Sequence, residues 1–131
     1  MTDYLIVNQQ PVLIAANGLI NSTATTKVAG ASYIVDSNVG ILDYDLLIDH
    51  AGAVALSIPM ASLTQGRNLV VTDSGGNASP TSAIVITPGA GQTINGASTY
   101  QLNTPRASIR LVGDLANGNW VVTATGDGTP V

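Results

Sequence analysis

The sequence predicts an all-β fold: an antiparallel β-sandwich or jelly-roll-like barrel with an extended N-terminal arm. Apolar residues alternate with polar ones in several short runs, and clusters of Gly, Asn, Asp, Ser and Pro separate these runs. No long stretch keeps the i, i+3, i+4 apolar spacing of an amphipathic helix, and the best helical candidate, residues 60–65, is at most a turn. Short strands with frequent turns are typical of sandwiches and barrels.

The candidate strands are marked by apolar residues at every second position. A strand with one buried face places alternate side chains in the core, so each such group indicates core-facing residues. Trp120, the only tryptophan, is expected to be the main core anchor. The candidate groups are Tyr33 and Val35; Val54, Leu56 and Ile58; Leu69 and Val71; Ile84 and Ile86; Ile109 and Leu111; and Trp120 and Val122.

The segment before residue 31 differs in composition from the rest. Its apolar residues form two blocks, and a polar run follows them. We therefore predict an arm and linker over residues 1–30, a β domain over residues 31–125 and a flexible tail over residues 126–131. Apolar blocks outside the compact body need a partner surface, so the arm is expected to contact an adjacent subunit or another protein. The candidate interface residues are Tyr4, Leu5, Ile6, Val7, Val12, Leu13 and Ile14.

The chain carries unusually few charges. Charged residues make up 9% of the 131 residues, and the net charge is −4; ordinary globular proteins contain roughly a quarter charged residues. A monomer normally keeps a charged surface, so this composition predicts a homo-oligomer that hides much of its surface.

Several function classes are disfavoured by composition. The four basic residues do not form the cluster that nucleic-acid binding needs. Absence of cysteine excludes disulfides and thiolate chemistry. The N-terminal apolar stretch, residues 4–20, is interrupted by polar residues and is preceded by Asp3 instead of a basic segment, so it predicts neither a signal peptide nor a membrane span.

From Ser32 onward the sequence resembles a small β domain found in tail-fibre and other appendage proteins of tailed bacteriophages. The resemblance covers about ninety residues and depends on the order and spacing of its pieces, none of which is specific alone. They are Tyr33-Ile34-Val35-Asp36, Gly52-Ala53-Val54-Ala55-Leu56-Ser57-Ile58-Pro59, Gly66-Arg67, Leu69-Val70-Val71, Asp73-Ser74-Gly75-Gly76-Asn77-Ala78, Ile84-Val85-Ile86-Thr87-Pro88, Gly91-Gln92-Thr93-Ile94-Asn95-Gly96-Ala97, Ala107-Ser108-Ile109-Arg110-Leu111-Val112 and Gly118-Asn119-Trp120. The segment that precedes Trp120 is longer here than the Ser-Asp-Gly segment that often precedes this Trp in the family.

The resemblance implies a virion structural protein that is trimeric or similarly symmetric, without catalysis or cofactor. If the 131 residues are the complete gene product, their brevity favours a capsid decoration (cement) protein over a fibre. Such a protein would be made in the host cytoplasm and bind the major capsid protein on the outer surface of the particle. The alternative is a short tail-fibre or head-fibre module for host attachment, whose Tyr residues could stack on a host glycan, although half-buried core edges are their commoner role.

One motif suggests an enzyme. Val71-Thr72-Asp73-Ser74-Gly75 has the Asp-Ser/Thr-Gly form of aspartic proteases, which pair two such Asp side chains across a dimer axis. A retropepsin-like protease is a remote alternative for two reasons. The hydrophobic-Gly motif of such proteases would be Leu111-Val112-Gly113, which follows Asp73 too soon to leave room for the flap and connecting strands. In addition, Asp-Ser-Gly-Gly is an ordinary hairpin tip. As a hairpin residue, Asp73 should tolerate replacement by Asn with little effect.

The remaining polar groups predict no site. Asp43, Asp45 and Asp49 lie near His50, but the pattern of a calcium loop is missing, and strand alternation would place Asp43 and Asp45 on one solvated edge. The lone His50 has no candidate nucleophile. Gly89-Ala90-Gly91 lacks a following helix and Lys, so it predicts a turn. We therefore predict no catalytic, cofactor or metal residues.

Overall fold

The computed structural model describes residues 22–126. These residues form ten strands and two short 3-10 helices. In chain order the strands are β1 (Ser22–Val28), β2 (Ser32–Ile34), β3 (Ile41–Ile48), β4 (Val54–Ser57), β5 (Asn68–Asp73), β6 (Ile84–Thr87), β7 (Thr93–Ile94), β8 (Tyr100–Leu102), β9 (Ser108–Asp114) and β10 (Asn119–Gly126). The 3-10 helices span Met60–Ser62, after β4, and Leu115–Asn117, between β9 and β10.

The strands form two mixed sheets, which confirms the predicted all-β class. The first sheet has six strands in the order β1-β3-β5-β9-β10-β7, and the second has four in the order β2-β4-β6-β8. Side chains from both sheets join in one apolar cluster. Alternation is clear in β4, where Val54 and Leu56 are buried and Ala55 and Ser57 are exposed.

Strand directions differ from the antiparallel pattern expected from the sequence. Consecutive strands from β1 to β6 lie in alternate sheets, and the chain returns to each sheet in the same direction. Five of the eight strand pairings in the described part are parallel: four lie within β1 to β6, and the fifth joins β7 to β10. Strands β1 to β6 form three turns, each with one strand per sheet, and we call this part the two-sheet coil.

Antiparallel pairing is confined to the later part of the described chain. Strand β9 pairs with β5 on one side and with β10 on the other, and β8 pairs with β6. The β9–β10 connection is a tight one, in which Gly118 takes a left-handed conformation at φ 59°. A chain reversal of this kind needs only a few residues, whereas a parallel return needs a longer crossover. In the coil, a strand of the opposite sheet supplies that crossover.

The core is built from register-matched apolar side chains. In the first sheet Leu46 of β3, Val71 of β5 and Ile109 of β9 lie side by side. All three are at most 2% exposed. Trp120, the predicted core anchor, is fully buried in β10. Burying such side chains stabilises the fold by about 1.5–3 kcal/mol each.

The sheet begins earlier than the predicted domain boundary at residue 31. Strand β1 pairs with β3 along its whole length, and Val28 is 3% exposed in the core. Its Ser- and Thr-rich sequence suited a linker by composition, but β-branched Thr also fits an edge strand. The body therefore includes residues 22–30, which corrects the predicted extent of the linker; the rest of the division remains a prediction.

Candidate functional site

A β-bulge in β3 places a carboxylate inside the protein. Where β1 pairs with β3, Ala24 lies opposite Asp43 and Thr25 lies opposite Asp45, so Tyr44 is the extra residue. A bulge shifts the alternation by one residue. Asp43 is accordingly only 1% exposed, while Tyr44 is 42% exposed. The predicted solvated edge shared by Asp43 and Asp45 is therefore wrong for Asp43.

The Asp43 carboxylate accepts hydrogen bonds from three neighbours. The Thr26 hydroxyl donates to Oδ1 at 2.6 Å, and the Tyr33 hydroxyl donates to Oδ2 at 2.8 Å. The backbone N–H of Asp36 donates to Oδ2 at 2.7 Å, and the Asp43 N–H donates in return to Oδ1 of Asp36 at 3.0 Å. Since Thr26 belongs to the first sheet and Tyr33 to the second, this carboxylate links the two sheets.

Arg67, between β4 and β5, forms a two-pronged ion pair with Asp36. Its Nη1 lies 2.5 Å from Oδ2, and its Nη2 lies 2.7 Å from Oδ1. The guanidinium also donates to the carbonyl oxygens of Ser62 at 3.1 Å and Asp43 at 2.7 Å. The two side chains are 11% and 16% exposed. Because the pair is largely buried, removing one partner would leave an uncompensated charge.

These contacts shift the pKa values of two groups. Burial raises the pKa of Asp36, but hydrogen bonds from Arg67 and from the Asp43 backbone outweigh burial, so its pKa lies below the ordinary value. The pKa of Tyr33 is raised, first by burial and then by its hydrogen bond to Asp43. An acid held ionised and a phenol held protonated suit fixed hydrogen bonds better than proton transfer near neutral pH.

A surface cavity of about 440 Å³ lies beside this cluster. Its two charged lining residues, Asp43 and Arg67, already have internal partners, so they offer no free charge to a ligand. The lining residues are Leu42, Asp43, Tyr44, Thr64, Gln65, Gly66, Arg67 and Asn68.

Asp73, the residue of the protease-like motif, closes the end of β5. Its Oδ1 accepts the backbone N–H groups of Gly76 at 3.1 Å and Asn77 at 3.2 Å. Its Oδ2 accepts those of Ala78 at 2.9 Å and Arg106 at 3.0 Å. The carboxylate is thus fully occupied in shaping a loop.

The loop after Asp73 is not the predicted hairpin tip. It leads from β5 in the first sheet to β6 in the second, so the flanking strands do not pair with each other. Asp73 is 1% exposed. Because its carboxylate is buried and accepts four N–H groups, Asp73 is not expected to tolerate replacement by Asn.

Asp49 and His50 lie just after the end of β3. Lys27 Nζ lies 3.4 Å from Asp49 Oδ2, with the side chains 58% and 46% exposed. An exposed pair of this kind contributes little to stability. His50 Nδ1 lies 3.2 Å from the carbonyl oxygen of Ala29. These contacts join the end of β1 to the end of β3.

Within residues 22–126, no three His, Cys, Asp or Glu side chains are placed to hold a metal ion. Over the same range, no helix has the length and apolar character needed to cross a membrane.

The structure brings together residues that sequence reasoning did not connect. Asp36, Asp43 and Arg67 are separated by up to 31 positions yet share one hydrogen-bonded cluster. The chain has only four basic and eight acidic residues. Isolated charged residues between apolar runs were therefore the sequence feature that could have indicated this buried cluster. The predicted interface residues, Tyr4, Leu5, Ile6, Val7, Val12, Leu13 and Ile14, lie outside the described residues.

Comparison with known proteins finds neither a matching family model nor a significant match among curated proteins.

Proposed function

We propose that this protein is a structural component of a bacteriophage virion, a capsid decoration protein that binds the outer capsid surface as a trimer and stabilises the lattice. One observation carries the proposal: the carboxylates of Asp43 and Asp73, each 1% exposed, and the largely buried Asp36–Arg67 pair are consumed by the fold. The carboxylates of Asp43 and Asp73 and the Asp36–Arg67 pair all have internal hydrogen-bond partners. Catalysis needs groups whose protons or lone pairs are available to a substrate, and these are not.

The resemblance to phage appendage domains supports a place in the virion. Two of its pieces have plain physical roles in the fold: Pro59 lies two residues after the end of β4, and Trp120 lies near the start of β10. These positions suit their expected roles, since Pro cannot continue a ladder and a large aromatic residue anchors a core. A third piece, Gly75-Gly76-Asn77, is not the hairpin tip that was expected.

Exposed apolar side chains supply candidate contact points for capsid or neighbouring subunits. Single exposed apolar residues are common, but here they occur on a surface with few charges. A decoration protein can use several such weak contacts, because symmetry makes them act together. Among the residues that the structure describes, the exposed large apolar ones are Ile34, Val39, Tyr44, Met60 and Leu115.

The copy number in purified virions tests this proposal. A decoration protein should be present in amounts comparable to the major capsid protein, measured by quantitative mass spectrometry with a tail-tube protein as the low-copy reference. A copy number near that of the tail reference would favour the alternative, a short tail-fibre or head-fibre module for host attachment. Absence from particles that carry its gene would refute both.

A binding assay tests the attachment itself. Purified protein mixed with undecorated capsids should co-sediment with them and raise the temperature at which they rupture. Capsids of an unrelated phage provide the control. Equal recovery with both kinds of capsid would contradict a specific decoration role.

A further inference from the structure

The two-sheet coil has an open end formed by β1 and β2. β1 is the outermost strand on one side of the first sheet, and β2 is the outermost strand on one side of the second. Within residues 22–126, no strand pairs with the outer edge of either. An unpaired edge presents backbone N–H and C=O groups that can accept a further strand. We call these two edges, which belong to the same turn, the open coil end.

Side chains at the open coil end are less covered than those behind them. Tyr33, Leu56 and Ile86 lie side by side in the second sheet. Leu56 is 1% exposed and Ile86 is fully buried, whereas Tyr33 packs on the core but is only partly buried. In the first sheet Thr26 is partly buried, while its neighbour Leu46 is fully buried. Tyr33 and Thr26, the edge residues of these two sets, therefore have no described strand that covers their outer side.

The sequence before β1 contains two apolar blocks at the spacing of one more turn. Between the blocks lie four residues, 8–11, and between the second block and β1 lie seven, 15–21. Coil connections from the first sheet to the second contain three, five and ten residues, at 29–31, 49–53 and 74–83. Connections from the second sheet back to the first contain six and ten, at 35–40 and 58–67. Both N-terminal spacings fall within these ranges.

Residues in the two N-terminal connections also suit turns. Pro11 lies between the blocks, where its missing N–H costs no ladder hydrogen bond. Asn17 and Gly18 lie between the second block and β1, and both favour turn conformations.

We propose that Leu5-Ile6-Val7 and Val12-Leu13-Ile14 form one further turn of the coil within the same chain. The first block pairs in parallel with β1, and the second pairs in parallel with β2. We assign the open coil end to these blocks of the same chain because residues 15–21 lead directly into β1. Their number matches the length of the coil's own connections. This assignment replaces the expectation that the blocks attach to a neighbouring subunit or to the capsid.

Disulfide trapping tests the pairing directly, because the chain contains no cysteine. Ile6→Cys is combined in turn with Ala24→Cys, Thr25→Cys or Thr26→Cys, which covers the uncertainty in register. The control combines Ile6→Cys with Thr123→Cys on β10, which lies four strands from β1 in the first sheet. After mild oxidation, at least one of the three pairs should form a disulfide within a single chain, and the control should not.

Intact-mass measurement separates the competing occupants. A disulfide within one chain supports the proposal. A disulfide that joins two chains would overturn it and assign the open coil end to the arm of a second copy. Trapping no better than the control in all three pairs would also overturn it.

Hydrogen exchange provides a second readout on the full-length chain. Ile6→Pro and Leu13→Pro remove a ladder donor from each block, so residues 22–28 and 32–34 should lose protection. Gln9→Pro, between the blocks, should leave their protection unchanged. If both block variants keep full protection there but lose capsid binding, the proposal is wrong and the arm is an attachment element.

Discussion

The carboxylate of Asp73 accepts four backbone N–H groups although the residue is only 1% exposed. Asp73→Asn would replace one accepting oxygen with an NH₂ group that faces N–H donors. Because buried donors would then lose their acceptor, we expect the free energy of unfolding to fall by about 1–3 kcal/mol. Urea denaturation followed by circular dichroism measures this change.

The matched control for Asp73 is Asp49→Asn, which makes the same chemical change at an exposed position. Asp49 has one ion-pair contact, to a Lys27 side chain that is 58% exposed. Its replacement should change stability by less than about 0.5 kcal/mol. Similar losses for both variants would show that the buried hydrogen bonds of Asp73 are not the cause.

Asp36 should make stability depend on pH in the acid range. Its pKa is lowered in the folded protein, whereas in the unfolded chain it has the ordinary value of about 4. A lowered folded-state pKa means that the contribution of the carboxylate is fully present above the unfolded value. This contribution is lost as pH falls through the folded value, because protonation weakens the pair with Arg67.

Comparison with Asp36→Asn isolates this effect from other titrating groups. Asn is suited to the position, since Asp36 has a positive φ of 63° and Asn tolerates that conformation. The difference in unfolding free energy between wild type and variant should be constant above about pH 5 and shrink toward about pH 2. A difference that stays constant over this range would contradict the role of the Asp36–Arg67 pair.

Among the strands, β9 is constrained by close contact with the loop before β5. The Gly113 N–H donates to the Arg67 carbonyl oxygen, and the Gly66 N–H donates to that of Gly113, both at 2.8 Å. A methyl group on Gly113 would overlap the carbonyl oxygen of Thr64. Gly113→Ala should therefore cost about 1–3 kcal/mol of stability, because backbone must move to make room. Thermal unfolding measures the loss.

Gly30→Ala is the control for this element, because it adds the same methyl group in an uncrowded place. The nearest atom to that group would be the Ser32 carbonyl oxygen, at 3.8 Å. Its unfolding temperature should stay at or slightly above that of the wild type. Equal losses at the two glycines would contradict a local steric effect in β9.

At the scale of the whole molecule, the main expectation is assembly. Few charges and several exposed apolar side chains favour association over a free monomer. Light scattering at micromolar concentration should give a mass near three times the 13.3 kDa of the chain. A monomer that circular dichroism shows to be folded would contradict the proposed trimer.

The all-β class and eleven of the eighteen residues of the buried apolar cluster could be predicted from the sequence alone. Each apolar pair predicted by alternation lies on or next to a strand, and Leu69, Val71 and Leu111 are fully buried. This worked because alternation is a local property: a pleated strand with one buried face requires it whatever its neighbours are. Trp120 could be placed in the core for a similar reason, since so large an apolar side chain is seldom left in water.

Strand direction and the roles of the charged residues, by contrast, follow from tertiary contacts. Parallel pairing of β1, β3 and β5 depends on how distant segments return to one sheet, and local alternation is the same for either direction. The bulge at Tyr44 likewise depends on pairing with β1, and it turns Asp43 from a predicted surface residue into a buried one. Contacts between residues far apart in sequence set these features, so short-range patterns could not predict them.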